Sequence, residues 1–486
     1  MTEQEYDRGV MLRVIALTAL ALVLRVLALG YKGFWQDEVF SVLFVREPSA
    51  QFWSVLKNAE MNMALYYLAL REWVRFFHGE AGIRALSVIP GVLTVPVVYA
   101  LGARLYSRRV GVWAAGLTAI NTCAVVYSQE ARGYAMLVLF AALSSWAFLK
   151  LAEQPTVGSW LLYVLFSVCA FYCHFYAVFV LFGHACSLFL LPAERAPWKG
   201  SLSAWLLTAV ASIPGIQVIR ASHGSNLWWL PRPGLVEIYR TITFLAAESG
   251  KVVGAVLAAL MVVAVICGLR ASWLRSNGPS VENFRMWFAP LGFLVPMLAT
   301  LLLSFWRPMF FHRFLIVCLV PFLLLASMGL EQLRRYRVGV GLTAGILVLS
   351  GIATAASYSK VREDWRGAAA YTASVAPDAP VVFYIKDGAA PFAYYRDRLS
   401  SPLKAAQLIP SEQQPSEADA QVWARFYPCI WVVRFPADVK DPALPEITRD
   451  LLRHYKLCER QDFKGISVSW FCERGEHTAA DFRIAH

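Results

Sequence analysis

The chain has 486 residues, 58% of them hydrophobic and only 16% charged, with a formal net charge of +12. A soluble globular protein is nearer about 25% charged, and a mean hydropathy of +0.50 excludes that class. No basic helix or aromatic platform accompanies the positive charge, which therefore reads as loops facing the cytoplasm and anionic lipid, not as a nucleic-acid surface.

Apolar runs of about 20 residues, each able to span hydrocarbon as a helix, recur through the first 360 positions. Residues 10–30 predict the first. Arg13 and Arg25 interrupt it, and Arg25 sits about one turn from the outer end, where a long side chain can snorkel. No small-residue cleavage site follows, so this is a retained helix and not a removed signal. The stretch 31–47 comes next, within a polar to amphipathic segment, 31–60. It sets adjacent acids, Asp37 and Glu38, among Phe34, Trp35, Val39 and Phe40. A carboxylate held at a membrane face is costly to desolvate and is a functional candidate by default. The plain alternative is a solvated loop acid.

Residues 64–79 are short and broken by Arg71, Glu72 and Arg75, so they read as lying along the interface. That placement puts Arg104, Arg108 and Arg109 inside, as the positive-inside rule requires. Spanning helices follow at 83–103, 110–128, 135–151, 158–173, 175–191, 203–219, 251–269, 287–304, 314–330 and 338–357. Residues 129–134 turn at the outside, and 221–250 form a long outer loop containing Trp228 and Trp229. Every inner loop then carries lysine or arginine.

The tail, 359–486, separates from the membrane domain, 1–358, and is long enough for a small domain. Residues 381–385 and 430–435 read as strands, 466–472 as a further one, 451–455 as helical and 401–419 as a surface loop. The expectation is a small α/β domain outside the membrane. Of nine cysteines, Cys123, Cys169, Cys173, Cys186, Cys267 and Cys318 lie in apolar segments and read as small hydrophobes. Cys169 and Cys173 with His174 lack a third close metal ligand. Cys429, Cys458 and Cys472 lie in the tail, where an oxidising compartment allows one pair to be bridged and one thiol left over. No P-loop, dinucleotide fingerprint, HExxH or GxSxG motif is present, which argues against an ATP-driven pump.

Four polar groups fall on the outer face: Asp37–Glu38; Glu130, Arg132 and Tyr134 in YSQEARGYAM; His312–Arg313; and Lys360, Arg362 and Arg366 in SKVREDWRG. Singly each is an ordinary interfacial pair, an anchor or juxtamembrane charge. Together they put carboxylates and cations beside one leaflet. Transfer of a sugar from a lipid phosphate needs a base for the acceptor's proton and fixed cations for the leaving phosphate. Arginine suits the second task because its planar donors meet phosphate oxygens in pairs.

The order of FWQDEVFS, NMALYYLALREWVRFF, GEAGIRALSVIPG, LYSRRVGVWAA and YSQEARGYAM resembles the GT-C glycosyltransferases, nearest the protein O-mannosyltransferase and aminoarabinose transferase superfamily. The resemblance covers about residues 10–366. It implies an all-α polytopic membrane protein of GT-C fold with about 11 transmembrane helices and a small C-terminal extracytoplasmic α/β domain. It implies a polyprenyl-phosphate-linked sugar as donor and an envelope glycan, lipid or protein as acceptor, in the bacterial cytoplasmic (inner) membrane among its lipids. Asp37 matches the family's first-loop acid and takes the role of base, with Glu38 beside it and Glu130 at the second acidic position. Arg313 matches a basic residue near the lipid phosphate, and Arg132, His312, Lys360 and Arg362 are further phosphate-binding candidates. Trp35, Asn62, Tyr66, Tyr134, Trp228 and Trp229 are candidates for other substrate contacts. Relatives read like HPPLYY where this chain has NMALYY, so Asn62, Met63 and Ala64 replace a histidine and two prolines. Some relatives use a divalent metal; these acids are compatible with one and do not require it.

Two other function classes compete. A secondary transporter or flippase for a lipid-linked or anionic substrate predicts broken helices near the membrane midplane and internal repeats; no clear repeat is present. A non-catalytic envelope assembly protein explains the tail and leaves the acidic loops without a task.

Overall fold

In the computed structural model, which describes residues 3–221, 230, 232–248, 251–274, 278–383, 388–399, 408–410, 417–435, 449 and 451–473, seven helices are long and apolar enough to cross a membrane. They are Asp7–Val26, Gly79–Leu105, Tyr134–Glu153, Val252–Leu274, Val281–Leu303, Phe314–Leu333 and Arg337–Ser359. Two bent pairs raise the number to nine: Arg108–Ile120 with Thr122–Ser128, at 54°, and Trp198–Ala211 with Ile213–Ala221, at 56°. Val157–Cys173 and Ala177–Leu188, where the fifth and sixth spans were expected, are apolar but shorter. The chain is a multi-pass membrane protein with seven to nine candidate spans among the described residues, against the eleven expected.

The contacts divide the chain into two units: Met1–Leu29 with Val45–Ser359, and Gly30–Phe44 with Lys360–His486. The first is helical. Gly79–Leu105 packs against Glu3–Val26, Arg108–Ile120 and Tyr134–Glu153, and Lys251–Leu274 packs against Leu319–Leu333. That last contact is backbone to backbone. A Cβ on Gly329 would lie 1.9 Å from the Ala264 carbonyl oxygen, and one on Gly268 2.2 Å from that of Leu325. Small residues permit such an approach between membrane helices.

Arg25 does not snorkel. It is fully buried, and the 54° bend explains why. The Arg108–Ile120 helix stops at Asn121, which is extended (φ −61°, ψ 124°) and N-caps the next helix by accepting from the Ala124 N–H at 2.9 Å. Carbonyls at the end of the first half lose their helical donors. The Arg25 guanidinium replaces them, donating to Thr118 at 3.1 Å and Ala119 at 3.0 Å, and to the Ser128 hydroxyl at 3.2 Å. The Asn121 amide donates to the Leu245 and Ala246 carbonyls, at 2.9 and 3.2 Å, at the end of the helix Leu235–Ala246. That helix occupies part of the segment expected to be loop.

The basic inter-helix segments of this unit meet their own acids. Glu153 holds Arg104 at 2.6 Å and Arg285 at 2.8 Å. Glu331 holds Arg334 at 2.6 Å, with Arg109 at 3.9 Å. Residues 31–60 are not irregular: Gln36–Phe44 and Ser49–Asn58 are helices. The amphipathic segment after them shortens to Ala64–Trp73.

The second unit is built on a five-stranded sheet, with strands β1 (Val381–Phe383), β2 (Leu408–Pro410), β3 (Cys429–Arg434), β4 (Tyr455–Phe463) and β5 (Ile466–Glu473) in the order β2-β1-β3-β5-β4. β1 is parallel to β2 and β3; β5 is antiparallel to β3 and β4. Its core gathers Val382, Trp423, Ile430, Leu451, Tyr455 and Phe471, and the Trp431 and Trp470 rings meet edge to face at 4.2 Å. Three expected strands are present. β2 lies inside the stretch read as a surface loop. β4 was not expected, and Tyr455, read as helical, begins it. The helix Gln36–Phe44 packs on the helix Ala389–Arg396 of the same unit. Trp228 and Trp229 lie outside the described residues.

Candidate active site

The second unit gathers the first acidic group. Asp37 and Glu38 occupy the first turn of Gln36–Phe44, where free backbone N–H groups favour negative charge. Hydrophobic neighbours force this turn inward: Phe34, Trp35 and Val39 are buried, and Phe34 meets Tyr394 edge to face at 5.8 Å. Glu38 is buried and accepts from the Trp35 N–H at 3.4 Å, reaching back across the turn. Asp37 is half-buried.

A third acid joins them. Glu363 accepts from the Gln36 N–H at 2.8 Å and from the Trp365 indole at 2.7 Å. It therefore caps the acidic helix from 327 residues away along the chain. Burial pushes its carboxyl above the usual range; the bonds from Trp365 and Gln36 pull it down, Asp37 raises it and Arg362 lowers it. The loop before the helix is pinned as well. The Phe34 N–H donates to the Tyr395 hydroxyl, and Arg366 donates to the Tyr31 carbonyl at 2.6 Å. A Cβ on Gly33 would sit 3.2 Å from that hydroxyl, a tight contact. Arg362 lies over the Trp35 ring at 4.7 Å, a cation–π contact. Lys360 is exposed. Asp364 N-caps the next helix through the Gly367 N–H, at 2.9 Å, and its own N–H donates to the Lys464 carbonyl at 3.0 Å.

The first unit gathers the second group. Just past the bent pair, the Gln129 amide donates to the Arg25 and Leu27 carbonyls at 3.0 and 2.7 Å, which fixes the turn carrying Glu130. Glu130 is buried. Arg132 donates to the Tyr67 hydroxyl at 3.0 Å, and that hydroxyl donates to Glu60 at 3.5 Å. Tyr66 bonds Ser87 at 3.2 Å. Tyr134 packs edge to face on Tyr127, 5.1 Å between ring centres. Asn62, standing where relatives carry histidine, accepts from the Phe175 N–H at 3.0 Å. It clips the break between Val157–Cys173 and Ala177–Leu188, which is a structural task. His174 fills that break, buried, with its ring 4.9 Å from Phe314 and 6.0 Å from Tyr134. His312 packs on Phe244 at 5.1 Å, and Arg313 lies 5.9 Å from the Phe311 ring. The short WRPMFFHR turn is held by Ser304, whose hydroxyl accepts from the Met309 and Phe310 N–H groups at 3.0 and 2.8 Å.

Glu363, Tyr67 and Tyr395 were not among the candidates from sequence, and His174 was weighed there only as a metal ligand. Glu363 sat in plain view in SKVREDWRG, where only the cations were singled out. Its signal is an acid beside a tryptophan two residues on, able to take the indole N–H. The described residues gather no group of three His, Cys, Asp or Glu side chains able to hold a metal ion.

Residues 62–220 match the family model of dolichyl-phosphate-mannose-protein mannosyltransferase. No curated protein sequence matches. Among solved structures, the chain is similar to apo ArnT from Cupriavidus metallidurans, at 13% identity over 94% of this chain and 97% of that one, with a TM-score of 0.58. The same protein bound to undecaprenyl phosphate aligns at 12% identity over the same shares, with a TM-score of 0.53. The oligosaccharyltransferase AglB from Archaeoglobus fulgidus, in complex with an inhibitory peptide and a dolichol-phosphate, aligns at 10% identity over 96% of this chain and 74% of that one, with a TM-score of 0.56. At these identities the likeness is one of fold: the chain shares the fold of ArnT and AglB.

Proposed function

We propose that the chain transfers a sugar from a polyprenyl-phosphate carrier to an envelope glycan, lipid or protein at the extracytoplasmic face of a bacterial cytoplasmic membrane. The observation that carries this reading is the fold shared over nearly the full length with ArnT, whose structure bound to undecaprenyl phosphate is of the same form. The match of residues 62–220 to a mannosyltransferase model that names a dolichyl-phosphate donor supports the same donor class.

Asp37 is the base. It takes the proton of the acceptor hydroxyl or amine as that atom attacks the anomeric carbon. The bond from that carbon to the phosphate oxygen breaks, and its electron pair leaves with the phosphate. Glu38 braces the turn through the Trp35 N–H. Glu130 is the second acid of the site. Arg132, Arg313, Lys360 and Arg362 supply positive charge for the leaving phosphate, and His312 a hydrogen-bond donor. Trp35, Tyr66 and Tyr134, candidates for substrate contact from sequence, are buried and support the polar groups from behind. The tail is outside in this reading.

The bent helix pairs are what a secondary transporter would use, since unwound carbonyls can coordinate ions. Here the carbonyls freed at the first break are already taken by Arg25, which favours the transferase. The test is extraction of lipid from the purified protein, followed by mass spectrometry. A polyprenyl phosphate, or its sugar ester, is the expected companion, and release of polyprenyl phosphate from a supplied sugar ester should follow protein concentration. Neither companion nor release would overturn the reading.

A further inference from the structure

The tail's three cysteines lie on three adjacent strands, and nothing in the transfer reaction uses them. Cys429 on β3 and Cys472 on β5 are directly opposite in the antiparallel register. The Glu473 N–H donates to the Pro428 carbonyl at 2.8 Å. That bond makes 428 and 473 the hydrogen-bonded pair, so 429 and 472 form the adjacent non-hydrogen-bonded pair. Such pairs bring Cα atoms to about 4.5 Å with their side chains closest, inside the span that a disulfide bridges. On the other side of β5, Lys456 faces Cys472, and the register slips between Leu457 and Glu459. Cys458 is the residue inserted at this bulge, and bulges re-aim side chains. Its thiol donates to the carbonyl of Lys456 at 3.6 Å, the residue that faces Cys472 across the pair. Cys472 therefore stands between two possible partners. The Trp470 indole donates to its sulfur as well. All three cysteines are free thiols. Cys429 and Cys472 are buried, Cys458 is partly exposed, and Cys429 lines an open cavity of about 430 Å³ with Tyr427, Pro428 and Trp470.

We propose that this sheet is a thiol–disulfide exchange site in which Cys472 is shared: Cys458 receives oxidation from solvent and Cys429–Cys472 is the bond that results. The oxidant is a disulfide of the extracytoplasmic space. The Cys458 thiolate attacks it, forming a mixed disulfide and expelling one thiol. The Cys472 thiolate attacks the Cys458 sulfur, expelling the second thiol. The Cys429 thiolate then attacks the Cys472 sulfur, and Cys458 leaves as a thiolate. In balance, two cysteine thiols lose two protons and two electrons, the oxidant becomes two thiols, and Cys458 is regenerated. The register favours that last step, because Cys429 and Cys472 are directly opposite on neighbouring strands. The Cys472 side chain holds the Cys429 thiol below its usual range and burial opposes this, while Cys472 is held high by Cys429 and by burial, and Cys458 above all by burial. Cys429 is therefore the readiest thiolate of the three.

The proposal rests on the extracytoplasmic tail of the functional reading, and the test separates the two. Full-length protein is purified in detergent, reduced, exposed to oxidised glutathione, quenched in acid, alkylated and digested without reduction. Mass spectrometry should show the Cys429 peptide joined to the Cys472 peptide, two hydrogens lighter than their sum, with Cys458 alkylated. Cys429→Ser should stop the exchange at Cys458–Cys472. Cys458→Ser should reach the same final bond about ten times more slowly, because the exposed thiol is gone. Three alkylated thiols after oxidation, or Cys458–Cys472 as the end product in the unaltered chain, would overturn the proposal. An unchanged rate in Cys458→Ser would overturn the entry role. Protein acid-trapped directly from cells should carry the same bond. The bond in purified protein with three free thiols in cells would overturn the placement of the tail and leave the exchange chemistry standing.

Discussion

Single side chains divide into those that do chemistry and those that hold the others still. Asp37→Asn keeps the shape of the turn and removes the proton acceptor, so transfer at saturating lipid donor should fall about 100- to 10,000-fold, with donor binding retained. Glu130→Gln in the same assay is the control: near-normal turnover in Asp37→Asn with a dead Glu130→Gln would hand the base role to Glu130. Glu363 is a holder, and its titration should be visible. Its carboxyl sits above the usual range, chiefly through burial, so the folded state keeps this proton better than the unfolded one. The associated stability is full below the unfolded value and is lost as pH rises through the folded value. As pH rises above the ordinary glutamate value of about 4.3, the wild-type melting temperature should carry this decline. Glu363→Gln keeps an oxygen for the Gln36 and Trp365 donors and should lack the decline; identical pH profiles would reject the account. Asp37, Glu38, Glu130 and Arg313 stand out in the sequence because charge at the edge of an apolar run is conspicuous. Glu363 does not, because its partners are a backbone N–H and an indole far apart in sequence.

Helices carry the next level. Arg25 looked like a charge near a helix end, and sequence offers no sign that its partners are carbonyls of another helix. The guanidinium holds the bent pair Arg108–Ile120 and Thr122–Ser128 together, and through it the turn bearing Glu130. Arg25→Met should leave the Thr118 and Ala119 carbonyls without donors, at about 1–3 kcal/mol for each buried acceptor. Thermal melting in detergent, followed by the folded peak in size-exclusion chromatography, should show a clear drop, with Arg25→Lys between; no drop would reject this role. Ala64–Trp73 has ten residues, about 15 Å of helix against a hydrocarbon core of about 30 Å. Cysteines introduced as Glu60→Cys and Glu80→Cys should therefore react with a membrane-impermeant maleimide from the same side. Reaction from opposite sides would make this segment part of a crossing. Hydropathy located the long helices well because each must satisfy its own backbone in lipid. It missed β4, whose sequence YKLCERQDF reads as polar because Lys456, Glu459, Arg460 and Asp462 are charged. That strand is an edge of the sheet, where charge guards against unwanted pairing.

At the scale of the molecule, the division of the chain is not the one that composition suggests. Composition separates membrane from tail near residue 358. Contacts assign Gly30–Phe44, which in sequence lies between two membrane helices, to the unit of Lys360–His486. Pattern reading follows neighbours in sequence, and this join depends on Glu363, Arg366 and Tyr395 reaching residues more than 300 positions earlier. Residues 360–486 made alone should leave the sites for Phe34 and Gln36 empty. A synthetic peptide of residues 30–44 added in trans should slow amide exchange around Trp365 and Tyr395, and no protection would argue against a shared unit. The join also imposes an order on biosynthesis. A ribosome adding about 5–20 residues per second completes the 327 residues between Gln36 and Glu363 in about 16 to 65 s. Throughout that interval the cap of the acidic turn has yet to be translated. A chain cut short anywhere before residue 363 can insert its helices and still never assemble the proposed base, so an incomplete product would sit in the membrane without consuming the lipid-linked sugar.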